Sequence, residues 1–283
     1  QTGRQLVRLI QRGHRLVITH GNGPQVGAIL LQQEAGLERG VPTMPLDVCG
    51  AQSQGLLGYL IQQTLYNELV RANIEKSVVT VLTQTVVDPR DPAFGRPTKP
   101  IGPFYTEEQA RELARRTGHV YVEDAGRGWR RVVPSPDPVS IVEAQTIRDL
   151  VEAGVVVIAV GGGGIPVIRE AGYSLTGVEA VIDKDLAASR LAVQMHADLL
   201  VVATDVPQVY LGYRTPAQRP LGRVTAAEAR RYLEAGEFPP GSMGPKVRAC
   251  VEFVEQTGRR AVITALERLE EAVYGRGGTT FVP

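Results

Sequence analysis

The sequence is poor in cysteine, histidine, aromatic residues and lysine. Its 283 residues include two cysteines, four histidines and one tryptophan, and aromatic residues make up 5% of the chain. Two cysteines are too few for a disulfide framework, and four scattered histidines offer no zinc-ligand spacing. We therefore interpret Cys49 and Cys250 as small core residues, and no metal site built from protein side chains is predicted.

Long apolar runs and an excess of one charge are also lacking. The chain has no 18-residue apolar segment, which excludes a membrane-spanning helix, and no charged-then-apolar signal region opens it. The formal net charge of +1 gives no general basic character for nucleic-acid binding. We expect a globular cytoplasmic protein that has neither nucleic acid nor a membrane among its partners.

Lysine is scarce, and its positions are informative. Only four of the 31 basic residues are lysine, namely Lys76, Lys99, Lys184 and Lys246. A compact ammonium on a flexible stem suits a phosphoryl group that moves during a reaction. Three of the four lie in Gly- or Pro-rich segments or at predicted helix starts, whereas Lys76 lies in a plain connector. Those three are candidates for phosphoryl binding, and the alternative is that four lysines remain by drift.

Strands and helices alternate along most of the chain, which predicts an α/β fold, a three-layer αβα sandwich with a mostly parallel sheet. Short apolar runs indicate the strands, and apolar residues at helical spacing indicate the helices. The predicted strands lie at 15–19, 77–85, 155–160, 199–204, 261–264 and 279–282, with a hairpin at 209–213. The predicted helices cover 2–11, 24–38, 47–72, 140–153, 183–196, 226–235, 244–256 and 266–274.

Residues at about 88–138 differ in character and predict a lobe inserted into a single domain that covers 1–283. This stretch holds eight of the 19 prolines and the only tryptophan. A helix is predicted at 107–116 and a hairpin at 119–133. Because the chain opens on a helix that leads into a strand, the βαβ pattern also predicts a further strand and loop upstream of Gln1.

Two glycine-rich turns follow predicted strands. Gly21-Asn22-Gly23 misses the dinucleotide fingerprint by one residue, so a nicotinamide site is not expected, and its position at a helix start favours a small anion over a plain tight turn. In the second turn, 161–164, four glycines leave no Cβ between a ligand and the backbone donors. A turn needed only for steric reasons would require one or two glycines.

Two aspartates flank one of the candidate lysines at a predicted helix start. Asp183 and Asp185 could hold the lysines in place, bind Mg²⁺ or simply cap the helix. Lysines, glycine turns and carboxylates together indicate phosphoryl transfer, because that chemistry mainly requires two anions to be positioned and charge to be neutralised. The serines and cysteines lie in no context typical of a covalent nucleophile.

With these residues the chain resembles the carbamate kinases of the amino-acid kinase superfamily. The matching segments run in order across nearly the whole chain, and those around Lys99, Lys184 and Lys246 are specific to carbamate kinases. The segments are HGNGPQVG at 20–27, LDVCGAQSQG at 46–55, PTKPIGPFY at 97–105, GGGGIPV at 161–167, EAVIDKDLA at 179–187 and GSMGPK at 241–246. The resemblance also implies a Gly-Gly-Asn loop upstream of Gln1.

The resemblance implies reversible phosphoryl transfer between ATP and carbamate, with Mg²⁺ bound to ATP or ADP. It also implies a cytoplasmic homodimer that forms ATP in arginine catabolism. Lys99, Lys184 and Lys246 would act on the phosphoryl group, and Asp185 would organise the lysines. The implied substrate-binding residues are Gly21, Asn22, Gly23, Gly162 and Gly163. The implied nucleotide-binding residues are Asp205, Val206, Tyr210, Met243 and Gly244.

Two other functions remain open from the sequence. The first is a kinase of another small carboxylate, such as an acetylglutamate-like substrate. The segment around Lys99 is the sequence feature that distinguishes a carbamate kinase from such an enzyme. The second is a nucleotide-binding protein without catalytic activity. Direct measurement of turnover distinguishes all three functions.

Overall fold

The computed structural model describes residues 2–37 and 39–283. Along these residues the α-helices are α1 Thr2–Gln11, α2 Gly23–Leu37, α3 Leu46–Arg71, α4 Glu107–Thr117, α5 Ala144–Glu152, α6 Lys184–Gln194, α7 Ala226–Glu234, α8 Met243–Thr257 and α9 Leu269–Val273. The predicted end of the second helix, at position 38, lies outside the described residues. No described helix is long and apolar enough to cross a membrane.

The strands alternate with these helices through most of the chain. They are β1 Val17–Ile18, β2 Val78–Thr80, β3 Gln84–Val87, β4 Lys99–Tyr105, β5 Val120–Glu123, β6 Trp129–Val133, β7 Pro138–Ile141, β8 Val156–Ile158, β9 Ile165–Arg169, β10 Leu175–Gly177, β11 Leu200–Thr204, β12 Val209–Leu211, β13 Arg219–Leu221, β14 Arg223–Thr225, β15 Ala261–Ala265 and β16 Thr279–Val282. The α/β prediction is confirmed.

A parallel sheet of order β1-β8-β2 lies between two layers of helices. Successive side chains of a strand point to opposite faces, so β8 serves both layers. Val156 and Ile158 pack with Leu65 of α3 and with α1, whereas Val157 packs with Ile147 of α5 and Leu191 of α6. A strand that is apolar on both faces is typical of a parallel sheet covered by helices.

The C-terminal half continues the same plan. The sheet has the order β11-β15-β16-β14, in which β11 pairs with β15 in parallel and β16 is antiparallel to β15. Val247 and Phe253 of α8 pack with Ile263 of β15 and Phe281 of β16 in the largest apolar cluster. This packing fixes α8 against the sheet and thereby positions the side chains of its first turn.

The single strand predicted at 77–85 is wrong, because the chain forms two strands there that belong to different sheets. Between them, the backbone N–H of Thr83 donates to Gln54 Oε1 at 2.9 Å, and Gln54 Nε2 donates to the Thr83 carbonyl at 3.1 Å. Both residues are buried. The amide of Gln54 therefore takes the place of a neighbouring strand, and β3 then pairs with β9 and β7.

Other boundaries also differ from the sequence-based prediction. The helix predicted at 140–153 is preceded by strand β7 and begins only at Ala144, because residues 138–141 pair with β3. The hairpin predicted at 209–213 extends further along the chain, because β12 pairs with β13, which ends at Leu221. The hairpin predicted at 119–133 is confirmed as β5 and β6, and β4 completes an antiparallel sheet of order β4-β6-β5 with them.

Candidate active site

Two glycine turns meet where the parallel strands β1 and β8 end. The backbone N–H of Gly162 donates to the His20 carbonyl at 2.7 Å. The Asn22 side chain lies directly where a Cβ on Gly162 would stand, and Asn22 Nδ2 donates to Ser53 Oγ at 2.8 Å. The carboxyl ends of parallel strands are the usual place for ligand sites in such folds.

The four glycines of this second turn are closely packed, and the N–H groups of three of them are already hydrogen-bonded within the protein. Gly162, Gly163 and Gly164 have φ values of 65°, 97° and 86°, which residues with a Cβ rarely adopt. The N–H groups of Gly163 and Gly164 donate to the Val160 and Gly161 carbonyls at 3.1 Å each. The protein itself thus uses these N–H groups, and the substrate-binding role of Gly162 and Gly163 stays a prediction.

Helix α6 carries the centre of the site at its first turn. Lys184 Nζ lies 2.9 Å from Asp185 Oδ1, and Lys246 Nζ of α8 lies 2.8 Å from Asp185 Oδ2. Asp185 is only 6% exposed. One buried carboxylate thus holds the ammonium groups of its chain neighbour Lys184 and of Lys246, which lies 61 residues after Asp185.

The first glycine turn reaches the same centre. A Cβ on Gly21 would stand 3.1 Å from Cδ of Lys184, so the absence of a side chain lets the lysine stem pass close to the turn. Gly21, predicted with Asn22 and Gly23 to bind substrate, therefore lies beside Lys184, and Gly162 lies against Asn22. Gly163 packs against the Ile182 carbonyl, directly before Asp183.

The lobe, defined as residues 88–138, brings Lys99 to this helix as well. Lys99 Nζ lies 3.0 Å from Asp183 Oδ2. Ile101 of the same strand packs with Val26 and Ile29 of α2 in one apolar cluster. The three lysines selected from the sequence are thus bonded to two neighbouring aspartates, and three ammonium groups facing two carboxylates give the cluster a net positive charge that favours an anion.

Burial and charge shift the pKa values of three groups near the site. Burial acts to raise the pKa of Asp183, but the Lys99 charge and three hydrogen bonds outweigh burial and lower it below the ordinary 3.8. Burial lowers the pKa of His20 from 6.5, so this ring is mostly neutral at pH 7. Burial raises the pKa of Cys250 well above its ordinary value, which makes this thiol inert.

The residues predicted for nucleotide binding lie at the C-terminal half of the fold. Asp205 follows the end of β11 and is exposed, and Tyr210 lies on β12, where its ring is 6.0 Å from that of Tyr213. Met243 and Gly244 begin α8, less than one turn before Lys246. Their role in nucleotide binding stays a prediction, as do the roles of Val206 and the other site residues.

The described residues contain no cluster of three or more histidine, cysteine or carboxylate side chains that could hold a metal ion. Asp183 and Asp185 both pair with lysines. Mg²⁺ commonly keeps several waters and is bound through substrate phosphates with one or two carboxylates. The residues present thus fit a metal that arrives with the nucleotide as part of the substrate.

Sequence reasoning gave no separate role to the residues that support the site. Ser53 is fully buried in α3, where it holds Asn22 and donates to the Gly50 carbonyl at 2.6 Å. Thr85 Oγ1 donates to the Gly163 carbonyl at 2.8 Å. A signal for Ser53 was its position on the apolar face of α3, where a hydroxyl requires a partner. No local signal pointed to Thr85, because strands commonly contain threonine.

Comparison with known proteins agrees with this geometry. The model of the amino acid kinase family matches residues 3–265. A carbamate kinase of Pyrococcus horikoshii is 55% identical over all of this chain and 90% of its own length. A carbamate kinase of Trichomonas vaginalis is 51% identical over 99% of this chain and 89% of its own.

Solved structures give the same result. A protein of Aeropyrum pernix K1 superposes with a TM-score of 0.95 and 45% identity, over 99% of this chain and 90% of that one. Carbamate kinase from Giardia lamblia bound to AMP-PNP gives a TM-score of 0.92 and 45% identity, over 99% and 89%. The chain belongs to the amino acid kinase family and, within it, to the group of the carbamate kinases.

Proposed function

We propose that this chain transfers a phosphoryl group reversibly between ATP and carbamate, which gives ADP and carbamoyl phosphate. The observation that carries the proposal is the pairing of Lys184 and Lys246 on the buried Asp185, beside the turn that contains Gly21 and Asn22. The two ammonium groups are held close together before any substrate binds. Such preorganised positive charge favours a transition state with charge spread over phosphoryl oxygens.

In the direction of ATP formation, an oxygen of the ADP β-phosphate attacks the phosphorus of carbamoyl phosphate. The bond between that phosphorus and the carbamate oxygen breaks, and the electron pair leaves with carbamate. No residue needs to become covalently modified. Lys184 and Lys246 would neutralise the transferred group while Asn22 and the adjoining glycines would hold carbamate.

The nucleotide would bind along the C-terminal half, against Asp205, Val206, Tyr210, Met243 and Gly244. Its phosphates would then point toward Lys246, because Met243 and Gly244 precede this lysine within the first turn of α8. Mg²⁺ would accompany ATP or ADP as part of that substrate. We further propose a cytoplasmic enzyme that makes ATP in arginine catabolism.

A test of this function measures ATP formed from ADP and carbamoyl phosphate in the presence of Mg²⁺. We expect saturable turnover that requires ADP, with carbamoyl phosphate preferred at least about 100-fold in kcat/KM over acetyl phosphate and over an acetylglutamate-type acyl phosphate. Faster turnover of another acyl phosphate would make the chain a kinase of a different carboxylate. Calorimetric ADP binding without turnover of any of the three would make it a nucleotide-binding protein without activity.

An exposed apolar stripe on α3 supports the proposal of a homodimer. Leu56, Tyr59, Leu60, Tyr66 and Val70 are between 47% and 58% exposed. Their spacing places them on one side of the helix, opposite the side that packs Leu65 and Leu69 into the core. Several large apolar side chains exposed on one side of a helix are typical of a protein interface.

The proposed dimer interface predicts that Leu60→Asp weakens dimerisation. A charge in the stripe is expected to raise the dimer dissociation constant at least about 100-fold, because it must be buried in an apolar interface. Sedimentation velocity over a range of concentrations measures this change. Leu37→Asp on α2 is the matched control, since Leu37 is also exposed on a helix, at 55%, and it is expected to leave the mass unchanged. Equal behaviour of both variants would contradict the interface.

A further inference from the structure

The carboxylate of Asp183 makes two different kinds of contact, one with each oxygen. Oδ1 accepts from the backbone N–H groups of Asp185 at 3.0 Å and Leu186 at 3.4 Å, which caps α6. Oδ2 pairs with Lys99 Nζ at 3.0 Å, and the Asp183 side chain is 15% exposed. A helix cap requires only one of these oxygens. The second oxygen therefore has a role that capping does not explain.

The ion pair of Asp183 differs from the other pairs that connect the lobe with the rest of the chain. Arg131 of the lobe pairs with Glu179, and Asp137 of the lobe pairs with Arg248, but Glu179 and Asp137 are 51% and 54% exposed. Exposed pairs contribute little because solvent screens them. Among the described lobe contacts of this kind, the pair with Asp183 has the most shielded carboxylate, and this carboxylate lies next to Lys184.

We infer that Asp183 is a positioning residue for the reaction, holding Lys99 of the lobe at the first turn of α6, where Lys184 and Lys246 are gathered. This inference rests on the proposed function. An ammonium group has three N–H donors. One donor directed at Asp183 leaves two for oxygens of the transferred phosphoryl group, so Lys99 binds that group without leaving its carboxylate. The pair between Lys99 and Asp183 thereby couples the lobe to the first turn of α6.

Substitutions at Asp183 separate positioning from capping. Asp183→Asn and Asp183→Ser keep a good helix cap but lose the charge that holds Lys99, and Asp183→Ala loses both. For Asp183→Asn, we expect kcat/KM for carbamoyl phosphate to fall about tenfold, mainly through a higher KM, because Lys99 loses its ordered position. The melting temperature is expected to stay close to that of the parent, whereas Asp183→Ala lowers it.

The coupling is tested by combining Asp183→Asn with Lys99→Ala. We expect the double variant to have the kcat/KM of Lys99→Ala alone, because Asp183 acts through Lys99. Additive losses would overturn the inference. Asp183→Asn and Asp183→Ser variants with parental KM would overturn it too, since Asp183 would then only cap the helix.

A second measurement does not depend on activity. Backbone hydrogen exchange of residues 99–105 is expected to be faster in Asp183→Asn than in the parent. Lys99→Ala and the double variant are expected to exchange at the same rate as Asp183→Asn. Parental exchange in Asp183→Asn would contradict the coupling. Absence of carbamoyl phosphate turnover in the parent protein would refute the proposed function, while the exchange experiment would still decide whether Asp183 holds the lobe.

Discussion

Lys246→Ala is expected to lower kcat for ATP formation from carbamoyl phosphate and ADP by about 1,000-fold, the range found when one preorganised donor to a transition state is removed. Lys246 is 14% exposed on its side chain and is held by Asp185 at 2.8 Å. Its ammonium is thus fixed before the reaction begins and requires no reorganisation. We expect kcat to fall far more than KM rises, because the charge on the phosphoryl oxygens develops in the transition state.

The matched control for this substitution is Lys76→Ala. Lys76 donates to the Gly154 carbonyl at 3.1 Å at the connection before β2, away from the gathered lysines. Its removal is expected to leave kcat and KM unchanged. Lys246→Arg keeps the charge but presents a planar fork in place of a compact ammonium, so we expect only partial recovery. A kcat for Lys246→Ala within threefold of the parent would refute the proposed role.

Gly163→Ala is expected to cause the largest loss of stability at a single glycine of the site, about 3 kcal/mol or more in free energy of unfolding. Gly163 has φ of 97°, which is unfavourable for a residue with a Cβ. The added methyl would also overlap the backbone carbonyl of Ile182, and that backbone cannot move without displacing Asp183 and Lys184. Activity is therefore expected to fall together with stability.

Gly126→Ala separates these two costs. Gly126 has φ of 75°, and a Cβ there would meet no atom within 4 Å. This variant is expected to lose only the conformational term of about 1 kcal/mol, with activity unchanged. Urea unfolding of both variants measures the difference. If Gly163→Ala were no less stable than Gly126→Ala, the close approach of Ile182 would have no energetic importance.

The site residues were accessible from the sequence where a residue type was rare or a turn had an unusual composition. Lys99, Lys184 and Lys246 were selected because lysine is scarce and because of their local context, and the structure brings all three to Asp183 and Asp185. The glycine turns were placed after β1 and β8 by the alternation of strands and helices. Alternation of this kind predicts that both turns lie at the same edge of the sheet.

Contacts between residues that are distant in sequence could not be predicted in the same way. Lys99 and Asp183 are 84 residues apart, and no local pattern states which oxygen of an aspartate caps a helix and which holds a lysine. The break in the strand predicted at 77–85 depends on Gln54, whose amide substitutes for a strand partner only after α3 packs beside it. The four-glycine turn was interpreted as open to a ligand, and only the structure shows that the N–H groups of Gly162, Gly163 and Gly164 donate to neighbouring carbonyls.

The sequence by itself determined the α/β class, the glycine turns and the three lysines, because periodicity, backbone freedom and residue type are local properties of the chain. The tertiary structure alone decided the partners of those lysines, the insertion of Gln54 between β2 and β3, and the approach of Asn22 to Gly162. Each of these contacts joins segments that are distant in sequence. Which polar atoms still need a partner is decided only when those segments pack together.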